Sequence, residues 1–290
     1  MIELTLCPTD DIQTILDAYH HDDIITLNLT EGIFRQKLTL HHNHLTVIGA
    51  SQSATVIAFN DFSYKMHEDG LLFNTFRTST VTILGSDITL KHLTITNTAG
   101  CGLTIGQAIA LSVYGTRFMA YDCTFSGYQD TLFIGPLPVD LVKRYEGFLP
   151  PSYLHTHPVV SKFEQCTISG DVDFIFGSGM AWFDTCVFIA VKPGYIFAPS
   201  TYEIYPFGMI VMRSSFMIKE PTFIARPWRD HAKVHLIECI FKGPINEARY
   251  DDWNKTKFTF KEYPYFSSSF SSLCDVDERH QLETFIGLNF

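Results

Sequence analysis

A cysteine-anchored motif recurs along the middle of this 290-residue chain, and its spacing constrains the fold more than any other feature. Each copy places a small residue before a short run of alternating apolar and polar side chains, which is typical of a β-strand. Four copies read YDCTFSG, EQCTISG, DTCVFIA and IECIFKG, and two more, HLTIT and SSFMI, lack the cysteine. The anchor positions are Leu93, Cys123, Cys166, Cys186, Ser215 and Cys239.

Repeats of about 20–30 residues that contribute one short strand each indicate a solenoid. Parallel stacking would place each anchor over the next, so we interpret the cysteines as a buried packing column. A metal site is not predicted, because no two cysteines have C-x-x-C spacing. The low charged content of 18% and the aromatic content of 14% agree with buried parallel strands. The sequence therefore predicts an all-β solenoid that forms a single domain over residues 1–290.

Three segments depart from the repeat. Residues 9–20 have the periodicity of an amphipathic helix with Thr9 or Asp10 as its N-cap, and predict a cap over the first coil. Residues 136–160 form a Pro-rich insertion, predicted to be a loop that either borders a functional site or only decorates the surface. Residues 245–290 lose the pattern and predict an irregular C-terminal tail that wraps the solenoid.

Charge and cysteine usage exclude several classes of protein. The net charge of −10 argues against a nucleic-acid partner, which requires basic residues to neutralise phosphates. The sequence has no apolar run near the ~18 residues of a membrane helix and no signal-peptide pattern at its start, so no membrane partner is expected. Seven cysteines, an odd number, favour reduced thiols. We expect a cytosolic monomer, with secretion as the alternative if a leader precedes this sequence.

Two aspartates hold the same position in successive repeats. Asp130 lies seven residues after Cys123, and Asp173 lies seven residues after Cys166. If the insertion loops out, the two carboxyl groups stack on adjacent strands, about 4.7–4.9 Å apart. Carboxyl groups that close do not ionise independently, so one serves as an acid and the other as a base or nucleophile. The alternative is that both aspartates only stabilise turns.

Four motifs of this sequence resemble those of pectin methylesterases and occur in the same order. They are GQAIAL (106–111), GYQDTLF (127–133), GDVDFIFG (170–177) and ARPW (225–228). The resemblance extends over about residues 8–266. It implies a right-handed single-stranded parallel β-helix with an N-terminal capping helix, and hydrolysis of galacturonate methyl esters in pectin or methylated oligogalacturonides.

The resemblance also implies roles for individual residues. Asp173 would be the nucleophile, and Asp130 the general acid and base. Gln107 and Gln129 would stabilise the oxyanion, and Gln107 would also bind substrate. No cofactor and no metal are implied.

Substrate binding would extend to two residues of the ARPW motif. Arg226 would hold Asp173 ionised and keep its pKa low, and Trp228 would stack on a sugar ring. Phe176 is expected either in the pocket for the methyl group or in the core. Ala225 stands where the family usually has glycine, so the local backbone is expected to differ slightly.

Three other functions fit parts of the sequence. They are hydrolysis of a different ester or thioester, carbohydrate binding without turnover, and glycoside hydrolysis by paired carboxylates. The two glutamines and the arginine favour an oxyanion intermediate, which glycoside hydrolysis does not form. A cytosolic enzyme does not meet polymeric pectin, so the expected substrates are short, imported oligogalacturonides.

Overall fold

The computed structural model describes residues 1–263 together with positions 281 and 284. The backbone winds through successive coils, and each complete coil contributes one strand to each of three sheets. The named strands of these sheets pair in parallel, for example β11 (Phe118–Tyr121) with β14 (Val160–Glu164). The predicted all-β parallel β-helix is confirmed.

The described residues form 25 strands, numbered in chain order. The first sheet contains β1 (Ile2–Leu6), β2 (Ile25–Leu29), β5 (Leu45–Ile48), β8 (Thr89–Lys91), β11, β14, β17 (Met180–Asp184), β20 (Met209–Met212), β23 (Lys233–Ile237) and β25 (Thr259–Tyr263). The second sheet contains β3 (Gly32–Phe34), β6 (Thr55–Phe59), β9 (Thr94–Asn97), β12 (Thr124–Ser126), β15 (Thr167–Gly170), β18 (Val187–Ala190), β21 (Ser215–Ile218) and β24 (Ile240–Lys242). The third sheet contains β4 (Leu38–Leu40), β7 (Val81–Ile83), β10 (Leu111–Val113), β13 (Leu132–Ile134), β16 (Ile175–Gly177), β19 (Tyr195–Pro199) and β22 (Phe223–Ala225).

The corner between the first and second sheets explains the cysteine motif. In six coils the chain turns through one residue with a left-handed φ between 46° and 55°, followed by one inward-facing anchor. The left-handed residues are His92, Asp122, Gln165, Thr185, Arg213 and Glu238. A non-glycine residue in this conformation costs about 1–2 kcal/mol, which burial of the neighbouring core residues offsets.

The anchors form the predicted column, with one correction. Cys123, Cys166 and Cys186 are fully buried, and burial raises the pKa of the Cys166 thiol well above its ordinary value. Val187 pairs with Ser215, so Ser214 and not Ser215 lies over Cys186. The amide of Cys186 donates to the Ser214 hydroxyl at 2.9 Å. These cysteines are buried packing groups.

Phenylalanine rings stack along the solenoid beside this column. Phe188 and Phe216 are stacked with ring centroids 4.7 Å apart, and Phe216 and Phe241 continue the stack at 4.5 Å. Phe188 is fully buried and also packs edge-on against Phe183. The interior of the coils is therefore a continuous apolar core.

Truncation of one ring in this stack tests its contribution to stability. We expect Phe188→Ala to lower the free energy of unfolding by about 3–5 kcal/mol, because it leaves a cavity between coils. Met217→Ala on the same sheet is the control, since Met217 is 47% exposed and its truncation should change stability by about 0.5 kcal/mol or less. Urea unfolding followed by circular dichroism measures both variants. Equal losses would contradict the stacked core.

The N-terminal helix is shorter than predicted. Helix α1 covers Ile12–Leu16, with Ile12 and Leu16 buried against the core. Its N-cap is Asp11, whose carboxylate accepts from the amide of Thr14 at 3.0 Å, and not Thr9 or Asp10. The Asp10 carboxylate instead accepts from the amide of Cys7. The helix also follows a strand, β1, that already belongs to the first sheet.

The other two departures from the repeat are also more ordered than expected. The insertion at 136–160 contains helix α2 (Val139–Arg144) and a single 3-10 turn (Pro151–Tyr153), so it is not a simple loop. A second 3-10 turn, Thr75–Arg77, lies outside it. The tail predicted over 245–290 is not irregular throughout, because β25 pairs with β23. The rest of the predicted tail lies outside the described residues, at positions 264–280, 282–283 and 285–290. These positions include the Ser-rich stretch at 267–272.

Among the described residues, no helix has the length and apolar character needed to cross a membrane.

Candidate active site

The two aspartates lie at the corner that precedes the third sheet. Asp130 has φ 64° and Asp173 has φ 51°, and each comes two residues before a buried strand. Leu132 pairs with Ile175, so the aspartates hold equivalent positions on adjacent coils, as predicted. Backbone spacing between such strands is about 4.8 Å. The amide of Asp130 donates to the carbonyl of Val172 at 3.0 Å, so the pairing of the two coils extends from the strands to the aspartates themselves.

Arg226 binds Asp173 through a two-point fork. Nε donates to Oδ1 at 2.8 Å and Nη2 donates to Oδ2 at 2.5 Å, and both side chains are about 15% exposed. The guanidinium lies between two aromatic rings, 4.0 Å from the centroid of Tyr195 and 4.3 Å from that of Trp253. Fork and rings together leave the arginine little freedom to move.

The two aspartates differ in the charges that act on their pKa values. Burial raises the pKa of Asp130 well above its ordinary value, and the negative charge of Asp173 raises it further. Burial also raises the pKa of Asp173, while the fork and charge of Arg226 oppose that rise. Arg226 therefore acts in the expected direction, but the low pKa expected for Asp173 is not found, because burial outweighs the arginine. Since the arginine binds Asp173 directly, Asp173 ionises first and Asp130 keeps its proton.

The two glutamines lie beside the aspartates on successive coils. The amide of Ala108 donates to the carbonyl of Gln129 at 3.1 Å, and the amide of Ser63 donates to the carbonyl of Gln107 at 2.9 Å. These backbone bonds hold both residues at the edge of the cleft. Within the described part of the chain, neither side-chain amide has a hydrogen-bond partner, so both can donate to a ligand.

One cleft of about 280 Å³ brings together all the catalytic and substrate-binding residues predicted from the sequence. Asp130, Asp173, Gln107, Gln129, Arg226 and Trp228 all line it. Its apolar wall is formed by Phe76, Tyr145, Phe176 and Trp228, and the Trp228 ring meets Phe176 edge-on at 5.7 Å. Phe176 is 3% exposed, so it forms the floor of the cleft and belongs to an apolar cluster at the same time. Ala225 is fully buried.

A second cavity of about 350 Å³ adjoins the cleft, and Gln107 and Gln129 line both. Its other walls include Tyr64, Asp171 and Lys192. The carboxylate of Asp171 accepts from the amide of Val172 at 2.6 Å, as in a turn. The glutamines thus lie in the middle of a longer groove, which suits an extended ligand.

Several residues of the site carry no signal in the sequence. Trp253, Arg144 and Arg229 line the cleft outside any of the four motifs. Tyr195 supports Arg226, and its hydroxyl donates to Asp251 at 2.9 Å. Arg229 directly follows Trp228 of the ARPW motif, and this is the signal that could have placed it near the site.

Comparison with known proteins agrees with the motifs and the fold. A family model described as Pectinesterase matches residues 9–136, a stretch that ends where the insertion begins. The pectinesterase of Petunia integrifolia is 28% identical over 244 residues, which are 78% of this chain and 57% of that protein. A putative pectinesterase/pectinesterase inhibitor of Arabidopsis thaliana is 26% identical over 244 residues, again 78% of this chain but 29% of that protein. The chain thus spans less than two thirds of the length of each of these curated relatives.

Solved structures show the same fold. The pectin methylesterase PemA from Erwinia chrysanthemi superposes with a TM-score of 0.72 at 22% identity, over 96% of this chain and 94% of that one. The pectin methylesterase from carrot superposes with a TM-score of 0.73 at 20% identity, over 93% of this chain and 84% of that one. Motifs, family model and curated relatives agree with one another, and each of them makes the chain similar to pectinesterases.

Proposed function

We propose that this protein hydrolyses methyl esters of galacturonate residues and releases methanol. The observation that carries the proposal is the constellation in the cleft: an arginine-bound carboxylate, a second, buried carboxyl group, and two side-chain amides that have no hydrogen-bond partner among the described residues. Pectin methylesterases are among the solved structures with this fold, and one was solved in complex with a hexasaccharide. That likeness supports a galacturonan chain as the ligand of the groove.

In the first half of the reaction, an ionised Asp173 attacks the ester carbonyl. The carbonyl oxygen becomes an oxyanion, and the side-chain amides of Gln107 and Gln129 donate to it. Collapse of this intermediate breaks the bond to the methoxyl group. Asp130 gives its proton to the departing methanol, and an anhydride joins the substrate to Asp173.

In the second half, a water molecule opens the anhydride. Asp130 is now ionised and takes a proton from the water as it attacks the substrate carbonyl. The same two amides stabilise the second oxyanion. Collapse returns Asp173 to its ionised form beside Arg226, while Asp130 is protonated again. The product leaves as galacturonic acid, which carries the second proton of the water and gives it to the solvent.

Removal of one amide tests the oxyanion role. We expect Gln129→Ala to lower kcat for methanol release by about 10²–10³-fold, because one donor to the oxyanion is lost. KM should change little, since the contact forms in the transition state. Gln52→Ala is a matched control, because Gln52 lies on another coil and bonds to Thr124 and Asp122 rather than lining the cleft. A higher KM at unchanged kcat for Gln129→Ala would assign Gln129 to ground-state binding instead.

The proposal includes the length of the substrate. We propose short methylated oligogalacturonides, in keeping with the predicted cytosolic location and monomeric state, which stay predictions. The test is methanol release by the purified protein from methylated di- to tetramers and from long, highly methylated pectin. Release from the short substrates supports the full proposal. Release from long pectin alone contradicts the proposed length, and no release from any ester contradicts the activity.

A further inference from the structure

The insertion brings a cation to the cleft that the catalytic mechanism does not use. Arg144 is the last residue of α2, its side chain is exposed, and it lines the cleft with Leu141 and Tyr145. The four family motifs do not include this helix, and the family match ends at residue 136. Arg144 therefore belongs to the insertion and not to the four motifs.

The other arginines of the cleft are already paired. Arg226 binds Asp173, and Arg229 binds Asp140 through a fork of 3.0 and 2.6 Å. Among the described residues, Arg144 has no carboxylate within ion-pair distance. It is thus the cation of the cleft that is free to bind an anionic ligand, in a protein whose net charge is −10.

The helix that carries Arg144 is fixed to the solenoid at several points. The Asp140–Arg229 pair ties its first turn to the ARPW segment. The hydroxyl of Tyr145 donates to Asn74 at 2.9 Å, and the ring packs edge-on against Phe76. The guanidinium of Arg144 is 5.8 Å from the Tyr145 ring. The cation is therefore presented from an ordered platform, which reduces the entropy lost on binding.

The charges of the cleft divide it into two regions. At the dyad, Asp130 is protonated and Arg226 is already paired with Asp173, so the described residues leave no free cation there for an anionic group and the neutral methyl ester is favoured. At the insertion, Arg144 favours an anion, and a guanidinium binds a carboxylate through two parallel hydrogen bonds. A partly demethylated galacturonan carries both groups on one chain, as neutral esters and free carboxylates.

We propose that Arg144 binds the free carboxylate of a galacturonate residue near the ester under attack, and that the enzyme therefore prefers partly demethylated substrates. This inference rests on the proposed function.

A binding measurement tests the contact without turnover. Two of the three tryptophans, Trp228 and Trp253, line the cleft, so their fluorescence reports occupancy. The probe is unesterified trigalacturonate, titrated into the wild type, Arg144→Gln and Lys143→Gln. Lys143 is the matched control, since it is an exposed cation on the same helix that does not line the cleft. We expect Arg144→Gln to weaken binding about fivefold and Lys143→Gln less than twofold at low salt. Equal effects, or no binding by the wild type, would overturn the inference.

Kinetics test the preference itself. The substrates are a fully esterified hexagalacturonate and one in which esters alternate with free carboxylates. Arg144→Gln should raise KM about fivefold for the alternating substrate only, with kcat unchanged. An equal rise in KM for both substrates would overturn the inference. If the wild type releases methanol from neither, the proposed activity fails, while the trigalacturonate titration still decides whether Arg144 binds a carboxylate.

Discussion

Replacement of Asp173 by asparagine is expected to abolish methanol release, with a loss in kcat of at least about 10³-fold. The amide of asparagine is not a nucleophile, so the anhydride does not form. The side chain keeps nearly the same shape, and its oxygen still accepts one hydrogen bond from Arg226. Substrate binding should therefore persist, and trigalacturonate should still change the tryptophan fluorescence. Initial rates of methanol release measure the loss.

Asp184→Asn is the matched control for this variant. The side chain of Asp184 is 11% exposed and that of Asp173 is 15% exposed. Asp184 is also bound by an arginine fork, from Arg213, but it lies in the first sheet and does not line the cleft. Both substitutions remove one carboxylate from a fork, which costs stability in either place. Only Asp173→Asn should remove activity. Wild-type kcat in Asp173→Asn, or an equal loss in both variants, would refute the role of nucleophile.

The positions of the two aspartates could be predicted because the fold repeats. In a parallel β-helix, equal distance from an anchor means equal position on the coil, so Cys123 and Cys166 aligned Asp130 with Asp173 across a 43-residue gap. The same reasoning was off by one at Ser215. Two adjacent serines are equally small, and only the pairing of Val187 with Ser215 shows which of them faces inward.

Features that depend on contacts distant in sequence were not predictable. Asp140 and Arg229 are 89 residues apart, and no pattern in either segment indicates that α2 docks on the cleft. The helix cap was ambiguous for a local reason, since Thr9, Asp10 and Asp11 are all good N-caps and backbone geometry selects the last. The direction of the Asp173 pKa depends on how deeply the fork is buried, which the motif does not encode.

Replacement of Asp130 by asparagine should lower kcat about 10²–10⁴-fold, because methanol then departs without a proton and water attacks without a base. The wild type should have a bell-shaped profile of kcat/KM against pH. Activity rises as Asp173 ionises and falls as Asp130 loses its proton at a pH well above the ordinary range of an aspartate. The residual activity of Asp130→Asn should keep the acidic limb and lose the alkaline one. An alkaline limb that persists in the variant would assign it to another group.

The same pKa shift predicts an effect on stability with a definite sign. The pKa of Asp130 is higher in the folded than in the unfolded chain, so the folded state holds this proton more tightly. The stabilisation is complete at a pH below the unfolded pKa and is lost as the pH rises through the folded pKa. Asparagine is neutral at every pH and does not suffer this loss. Asp130→Asn should therefore unfold at a higher urea concentration than the wild type at alkaline pH, where the wild type must bury a charge beside Asp173. A variant less stable than the wild type across that whole range would mean that Asp130 is ionised in the resting enzyme, and so is not the acid of the first step.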